Sequence, residues 1–134
     1  MKLFLDTNVV VDSVKFREPY VRAIVPMFQM GQVGIHQLVI SDLTFANVAY
    51  LTKKGLSLFE WYNLLCELRS NVQIVPIGET SVDAALKLRS KDFEDALQYF
   101  SAKEADVDCI ITRNKKDFNF SDIPVLDPIE FIAK

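Results

Sequence analysis

Five short apolar runs, most of them separated by segments of helical pattern, restrict the folds open to this 134-residue chain. The runs lie at residues 2–5, 34–40, 72–77, 108–112 and 124–126. Strands that are apolar along their length are typical of a parallel sheet covered on both faces, and the intervening helical segments supply the covers. The pattern therefore predicts an α/β fold, a three-layer α/β/α sandwich with a central parallel sheet. Because no repeat or linker divides the chain, we expect residues 1–134 to form a single domain.

Capping residues mark several helix boundaries in the sequence. A helical pattern from residue 20 is predicted to stop at Gly31, since glycine commonly follows the last turn of a helix. Ser57 and Glu60 form a capping box that predicts the start of another helix. Thr80 is predicted to cap the helix that follows the third apolar run.

The composition is that of an ordinary globular protein, with half of the residues hydrophobic and a quarter charged. A net charge of -3 argues against broad electrostatic binding to nucleic acid, although carboxylates that bind metal keep a nuclease possible.

Cys66 and Cys109 are too far apart for a zinc or redox motif and are interpreted as buried thiols. No signal peptide and no apolar run of membrane-spanning length is visible, so we expect a cytoplasmic protein without membrane contact.

Asp6 follows the first apolar run directly, with no loop between them. In open α/β sheets, ligands bind beyond the carboxyl ends of the strands, which places Asp6 where chemistry usually occurs. Thr7 and Asn8 carry short polar side chains that can hold its oxygens. Asp6 could instead simply cap the following helix, and this stretch alone leaves both interpretations open.

Further carboxylates occur at the ends of other predicted elements. Asp92, Glu94 and Asp95 cluster at the start of a helix, and Asp117 lies just past the fourth strand. Each has an ordinary explanation, because acids stabilise helix starts and aspartate is common in turns. In a parallel sheet, however, these places share one edge with Asp6. Converging carboxylates stay ionised only around a cation, and oxygen ligands suit Mg²⁺ or Mn²⁺, which can activate a water for attack on a phosphodiester.

Three stretches together resemble the PIN domain family and span essentially the whole chain. They are Leu-Asp6-Thr-Asn8, Asp92-Phe-Glu-Asp95-Ala-Leu-Gln-Tyr and Ile-Thr112-Arg-Asn114-Lys-Lys-Asp117-Phe. PIN domains are small α/β/α sandwiches, and many are Mg²⁺- or Mn²⁺-dependent ribonucleases, including the VapC-type toxins of toxin–antitoxin pairs. The resemblance therefore implies that this chain is a metal-dependent endoribonuclease.

The resemblance also assigns roles to individual residues. Asp6, Asp95 and Asp117 would be the catalytic and metal-binding acids. Five further residues would support them: Asn8, Thr112 and Asn114 through hydrogen bonds, Asp92 as an auxiliary acid and Asn47 through its amide. A VapC-like toxin would cut RNA and pair with a small antitoxin protein, and PIN domains commonly form homodimers.

One position departs from the family pattern. The family usually carries a glutamate on the helix after the second strand, in a Ser-x-Leu-Thr-x-x-Glu pattern, whereas Ser41-Asp-Leu-Thr44-Phe-Ala-Asn47 ends in an amide. The Asn47 carbonyl can still face a metal or a water but lacks a negative charge, so metal affinity should fall. Asp42, five residues earlier, is more than one helical turn away and cannot simply replace the missing acid.

Basic and aromatic residues suggest surfaces for partners. Arg113, Lys115 and Lys116 flank the acids and are the best candidates for holding RNA phosphates. Aromatic residues of the predicted helical hairpin either pack in the core or form an apolar patch for a second copy or an antitoxin. These are Phe45, Tyr50, Trp61 and Tyr62.

Two other functions compete with the nuclease. The Asn47 amide makes a catalytically weakened PIN fold plausible, one that acts as an RNA- or protein-binding module. A phosphohydrolase with Asp6 as covalent nucleophile would need a second acid two residues later, where the chain has Asn8.

Overall fold

A computed structural model describes residues 1–133. Within these residues, five strands form one sheet and seven α-helices surround it, which confirms the predicted α/β/α sandwich. In chain order the elements are β1 (Lys2–Leu5), α1 (Thr7–Val14), α2 (Val21–Gln32), β2 (Gln37–Ser41), α3 (Asp42–Thr52), α4 (Leu58–Asn71), β3 (Gln73–Val75), α5 (Gly78–Leu88), α6 (Phe93–Glu104), β4 (Cys109–Ile111), a 3-10 helix (Lys115–Phe118), β5 (Val125–Leu126) and α7 (Pro128–Ala133).

The sheet is parallel throughout and has the strand order β3-β2-β1-β4-β5. The central strand β1 pairs with β2 on one side, where Leu3 lies beside Leu38. On its other side β1 pairs with β4, where Leu5 lies beside Ile111. The chain thus builds one half of the sheet and then crosses β1 to build the other half. This reversal opens a crevice beyond the carboxyl ends of β1 and β4, the usual ligand site of such sheets.

The hydrophobic core lies on both faces of β1, because successive side chains of a strand point to opposite faces. Leu3 and Leu5 pack into a cluster that includes residues of α1, α2, α3 and α4. Phe4 faces the other way, into a cluster with Tyr99 and Ala102 of α6. These three β1 side chains are completely buried, as a central strand requires. Burial on both faces of the sheet fixes the position of β1 and hence the position of Asp6 at its carboxyl end.

Two helix boundaries differ from the sequence-based expectation. Helix α2 continues through Gly31, where a side chain would place its Cβ 3.0 Å from Leu38 Cδ1. Close packing of α2 against β2 therefore favours glycine at this position, and its prediction as a helix stop was wrong because the helix ends at Gln32. Helix α5 begins at Gly78, so Thr80 lies within it and is not its cap. The backbone N–H of Ile77, at the start of α5, donates to Asp42 Oδ1 at 3.1 Å.

The two cysteines occupy different environments. Cys109 is buried in β4, as expected, but Cys66 is exposed on α4 and its predicted burial was wrong. The capping box at Ser57 and Glu60 is present as predicted, with both reciprocal hydrogen bonds formed.

Among residues 1–133, no helix combines the length and the apolar character needed to cross a membrane.

Candidate metal and active site

Asp6 is a buried carboxylate held by three hydrogen bonds at the end of β1. The backbone N–H of Thr7 donates to Oδ1 at 2.8 Å, and Thr112 Oγ1 and Asn8 Nδ2 donate to Oδ2 at 2.9 and 3.2 Å. Asp6 also occupies the N-cap position of α1. The two interpretations of Asp6 are therefore compatible, because the cap position itself directs the carboxylate toward the crevice.

The side chains around Asp6 form a local hydrogen-bond network. Asn8 Nδ2 lies 3.3 Å from Thr112 Oγ1, which also accepts the backbone N–H of Asn114 at 3.1 Å. The backbone N–H of Arg113 donates to Asn8 Oδ1 at 3.4 Å. The structure thus brings the predicted supporting residues together around Asp6, with Asn114 contributing its backbone and not its side chain. This network limits the orientations open to the Asp6 carboxylate.

Three more carboxylates converge beside Asp6. Asp92, Asp95 and Asp117 each offer one oxygen, and these oxygens lie within 4.8 Å of one another. Asp92 is the N-cap of α6 and accepts the backbone N–H of Asp95 at 3.1 Å, whereas Asp117 comes from the 3-10 helix after β4. Asp6, Asp92, Asp95 and Asp117 line one cleft of about 270 Å³. Asp92, predicted only as an auxiliary acid, is therefore one of the three converging acids, whereas Asp6, predicted as a main metal ligand, lines the same cleft without being one of the three.

The carboxylates of the cleft disfavour one another's charge. Burial is the main reason that the pKa of Asp6 rises to about 6, and the charges of Glu94 and Asp92 add to the rise against the hydrogen bonds from Thr112 and Thr7. Burial also raises the pKa of Asp95 to about 8, together with the charges of Asp6, Asp92 and Asp117. A cation in the cleft would relieve both effects. The all-oxygen donor set fits a hard divalent ion such as Mg²⁺ or Mn²⁺.

Asn47 and Glu94 meet at the edge of this cleft. Asn47 Nδ2 on α3 donates to Glu94 Oε1 on α6 at 2.7 Å, and Glu94 lines the cleft with the other acids. The amide at position 47 thus holds a carboxylate that enters from a different helix. Glu94 was visible in the sequence as part of an acidic cluster, but its pairing with Asn47 depends on how α3 and α6 approach each other.

The predicted phosphate-binding residues differ in their surroundings. Arg113 lines the cleft, and its Nε lies 3.1 Å from Asp12 Oδ2. Lys115 Nζ is directed to α7, where it lies 2.8 Å from Glu130 Oε1. Lys116 lies beside Asp117 in a neighbouring depression.

A buried polar network beneath the cleft escaped sequence reasoning. Gln98 of α6 is completely buried, accepts a hydrogen bond from Ser41 Oγ at 2.6 Å and donates one to Thr44 Oγ1 at 2.8 Å. Thr44 Oγ1 in turn lies 2.9 Å from Thr7 Oγ1, next to Asp6. The signal was a glutamine one turn after Asp95 on the inward face of a helix, where apolar residues are usual.

The fold and the cleft define a class of protein: an α/β sandwich with a carboxylate-lined crevice at the carboxyl edge of a parallel sheet. A profile of the PIN domain matches residues 2–116. The chain is 31% identical to Ribonuclease VapC1 of Aquifex aeolicus over 144 aligned positions, which cover 99% of this chain and 94% of that protein. The chain therefore belongs to the PIN domain family, as the sequence resemblance predicted.

Solved structures share the fold. DNA-bound VapBC from Salmonella typhimurium has a TM-score of 0.73 at 17% identity, with 96% of this chain and 98% of that chain covered. VapBC-1 from nontypeable Haemophilus influenzae also has a TM-score of 0.73, at 19% identity over 96% of this chain and 99% of its own. A toxin–antitoxin complex from Klebsiella pneumoniae has a TM-score of 0.67 at 25% identity, covering 94% and 97% of the two chains.

Proposed function

We propose that this protein is a metal-dependent endoribonuclease of the VapC type. The observation that carries the proposal is the convergence of Asp92, Asp95 and Asp117 beside the fixed carboxylate of Asp6. The similarity to Ribonuclease VapC1 over nearly the whole chain supports RNA as the substrate class. An RNA substrate also favours action in the cytoplasm.

Asp6, Asp95 and Asp117 would hold Mg²⁺ or Mn²⁺, with Asp92 close enough to assist. When bound, the divalent cation supplies positive charge that stabilises a phosphodiester under attack by water and makes that water a stronger nucleophile. The protein's own part is to fix the acids, which Thr112 and Asn8 do for Asp6.

Positive side chains at the rim would receive the RNA backbone. Arg113 and Lys116 lie beside the acids, where phosphate contacts can position a substrate without reading its sequence. Lys115 can reach RNA only if it leaves Glu130, an exchange that costs little for an exposed ion pair.

A catalytically weakened binding module is the less favoured alternative. It was suggested by the amide of Asn47, yet Glu94 brings a carboxylate into the same cleft by way of that amide. The cleft therefore keeps a negative charge beside position 47, whereas the alternative requires that this charge be lost.

We further propose an antitoxin partner, because the related complex from Klebsiella pneumoniae contains a toxin and an antitoxin. Tyr50 and Tyr62 leave large aromatic surfaces exposed on α3 and α4, whereas Phe45 packs against the core. Exposed aromatic residues are typical of interfaces. Either a second copy of the chain, in a homodimer, or an antitoxin would cover them.

The first test compares the wild type with Asp6→Asn, and with Asp83→Asn as a matched control on the exposed surface of α5. Mn²⁺ binding is measured by calorimetry, and the same samples are incubated with a structured RNA. We expect wild type and Asp83→Asn to bind Mn²⁺ and cut the RNA, and Asp6→Asn to lose both properties. If the wild type binds no Mn²⁺ at millimolar concentration and leaves the RNA intact, the proposal is wrong.

A further inference from the structure

Asp12 is a buried acid of α1 that lies beside the acidic cleft and not in it. The residue is 1% exposed, and two arginines approach its carboxylate from different parts of the chain. Arg113 Nε lies 3.1 Å from Oδ2, and Arg17 Nη1 lies 3.8 Å from Oδ1. The backbone N–H of Arg17 also donates to the Asp12 carbonyl at 2.9 Å, which fixes the backbone at Arg17.

Both arginines line the same cleft as Asp6 and Asp95. Both arginine side chains are only partly covered, with 46% of the Arg17 side chain and 33% of the Arg113 side chain exposed. Within residues 1–133, Arg113 Nε and Asp12 Oδ1 are buried atoms without a hydrogen-bond partner. The carboxylate therefore holds the two cations mainly by charge, and the exposed parts of both arginine side chains remain open to a ligand.

Charge arithmetic favours an anion as that ligand. One aspartate faces two arginines, which leaves a local excess of one positive charge at the rim of a cleft lined with acids. The whole chain carries a net charge of -3, so RNA needs such a local attraction to approach the acids. Guanidinium groups match the geometry of phosphate oxygens, and a group already held in place loses less entropy on binding.

We propose that Arg17 and Arg113, held by Asp12, bind a backbone phosphate of the RNA next to the phosphodiester that is cleaved. Asp12 is then a positioning residue, and Arg17 is a substrate-binding residue. This inference rests on the proposed ribonuclease function and adds to it the way in which the substrate is held.

The main experiment separates binding from cleavage. In an Asp6→Asn background, the affinity for a single-stranded RNA is measured by fluorescence anisotropy across a range of salt concentrations. Arg17→Ala and Arg113→Ala are each expected to weaken binding roughly five- to twentyfold and to reduce the slope of log affinity against log salt by about 0.7, the value for one lost phosphate contact on a single strand. Arg22→Ala is the matched control, because Arg22 is an exposed arginine that pairs with Glu18 outside the cleft.

Conservative variants distinguish a phosphate contact from a structural role. Arg17→Lys keeps the positive charge but lacks the planar guanidinium group. We therefore expect the salt slope to equal that of the protein with Arg17, while part of the loss in affinity remains. In the otherwise wild-type enzyme, Arg17→Ala should raise KM and leave kcat nearly unchanged, as expected for lost uniform binding. Asp12→Asn should raise KM in the same way if it folds, and the Arg17 variants decide the question if it does not.

The outcomes separate this inference from the function on which it rests. If wild type cuts RNA but Arg17→Ala retains the affinity, the salt slope and KM of Arg22→Ala, the phosphate-binding role is wrong and the nuclease stands. If wild type cuts no RNA, the proposed function fails. If the wild type cuts no RNA but Arg17→Ala still reduces the salt slope, the result would support phosphate binding by Arg17 and Arg113 without the nuclease function.

Discussion

Asp95 is a carboxyl group placed where its own negative charge is disfavoured. It is half-buried at the start of α6, and the charges of Asp6, Asp92 and Asp117 add to the effect of burial. With a pKa of about 8, its carboxyl holds a proton at neutral pH in the metal-free protein. A cation that binds there must displace this proton, so metal affinity and pH are linked.

We therefore predict that Mn²⁺ affinity rises as the pH increases from 6 to 8. The pKa values of Asp6 and Asp95 are about 6 and about 8, so Asp6 loses its proton around the lower end of this range and Asp95 around its upper end. Calorimetry in buffers of different ionisation enthalpy measures both the affinity and the protons released. Asp95→Asn lacks the acid that titrates near pH 8, so it should bind Mn²⁺ more weakly and show no rise in affinity near that pH. A wild-type affinity that does not change over this range would contradict the prediction.

Single residues of the site differ in how well the sequence predicts them. Asp6 and Asp95 follow from local rules, because a strand end and a helix start fix their places along the chain. The pairing of Asn47 with Glu94 could not be predicted, since it joins residues 47 positions apart on different helices. The same holds for Asp12, whose apolar neighbours mark a buried stretch but do not reveal the arginines that meet it.

Helix α6 carries two of the converging acids and is anchored from below by Gln98. This side chain links α6 to the end of β2 through Ser41 and to α3 through Thr44. Both hydroxyl groups are completely buried, so they depend on protein partners for their hydrogen bonds. The network therefore fixes the position of α6 relative to the strand ends.

Replacing Gln98 with leucine should destabilise the protein and loosen its metal site. The new side chain has a similar volume but removes one buried hydrogen-bond partner from each of the Ser41 and Thr44 hydroxyls, at a cost of about 2–4 kcal/mol. Urea denaturation measures this loss, and Mn²⁺ calorimetry measures the effect on the acids. Gln29→Leu, at an exposed position of α2, is the control. A loss below about 0.5 kcal/mol, the ordinary effect of a surface substitution, would show that the network does not stabilise the fold.

The elements predicted correctly are those whose limits are set by neighbouring residues in the sequence. The Ser57 capping box is one, because both of its hydrogen bonds lie within three residues. The start of α5 is different, since Asp42 binds the Ile77 N–H from 35 positions away. Gly31 was misinterpreted for a related reason, as the role of this glycine appears only when Leu38 packs against it.

For the whole molecule, the sequence predicted the layers of the sandwich but not the order of its strands. Apolar runs and helical segments are local features, and they suffice to predict a covered parallel sheet. The central position of β1 depends on pairing with Gln37 on one side and with Cys109 on the other, across separations that no local pattern encodes. The convergence of the acids could nevertheless be expected, because every parallel order places strand ends along one edge.

The stability of the metal-free protein should reflect the burial of the carboxylates in this cleft and, in addition, their mutual repulsion. Asp6 and Asp95 have folded-state pKa values of about 6 and about 8, above the ordinary value of 3.8 expected in the unfolded chain. The folded state therefore binds more protons between these limits, and the free energy of unfolding must fall as the pH rises from about 4 to 8. Glu60, Asp122 and Glu130 have lowered pKa values, so their opposite contributions are complete above about pH 5, and the lowered pKa of His36 opposes the fall only up to about its ordinary value of 6.5.

Urea denaturation at pH 5, 6.5 and 8 in the presence of a chelator tests this expectation. We expect the free energy of unfolding to fall by about 2–4 kcal/mol over the range, with the share of half-buried Asp95 reduced by solvent screening. Saturating Mn²⁺ should reverse the fall, because a ligand that binds only the folded state stabilises it. Asp95→Asn should be more stable than wild type at pH 8 without metal and less stable with it, whereas Asp83→Asn should follow wild type in both conditions. A metal-free stability that is constant or increases toward pH 8 would mean that neither burial nor mutual repulsion disfavours the carboxylate charges in the folded chain, and the cleft would then have no electrostatic need for a cation.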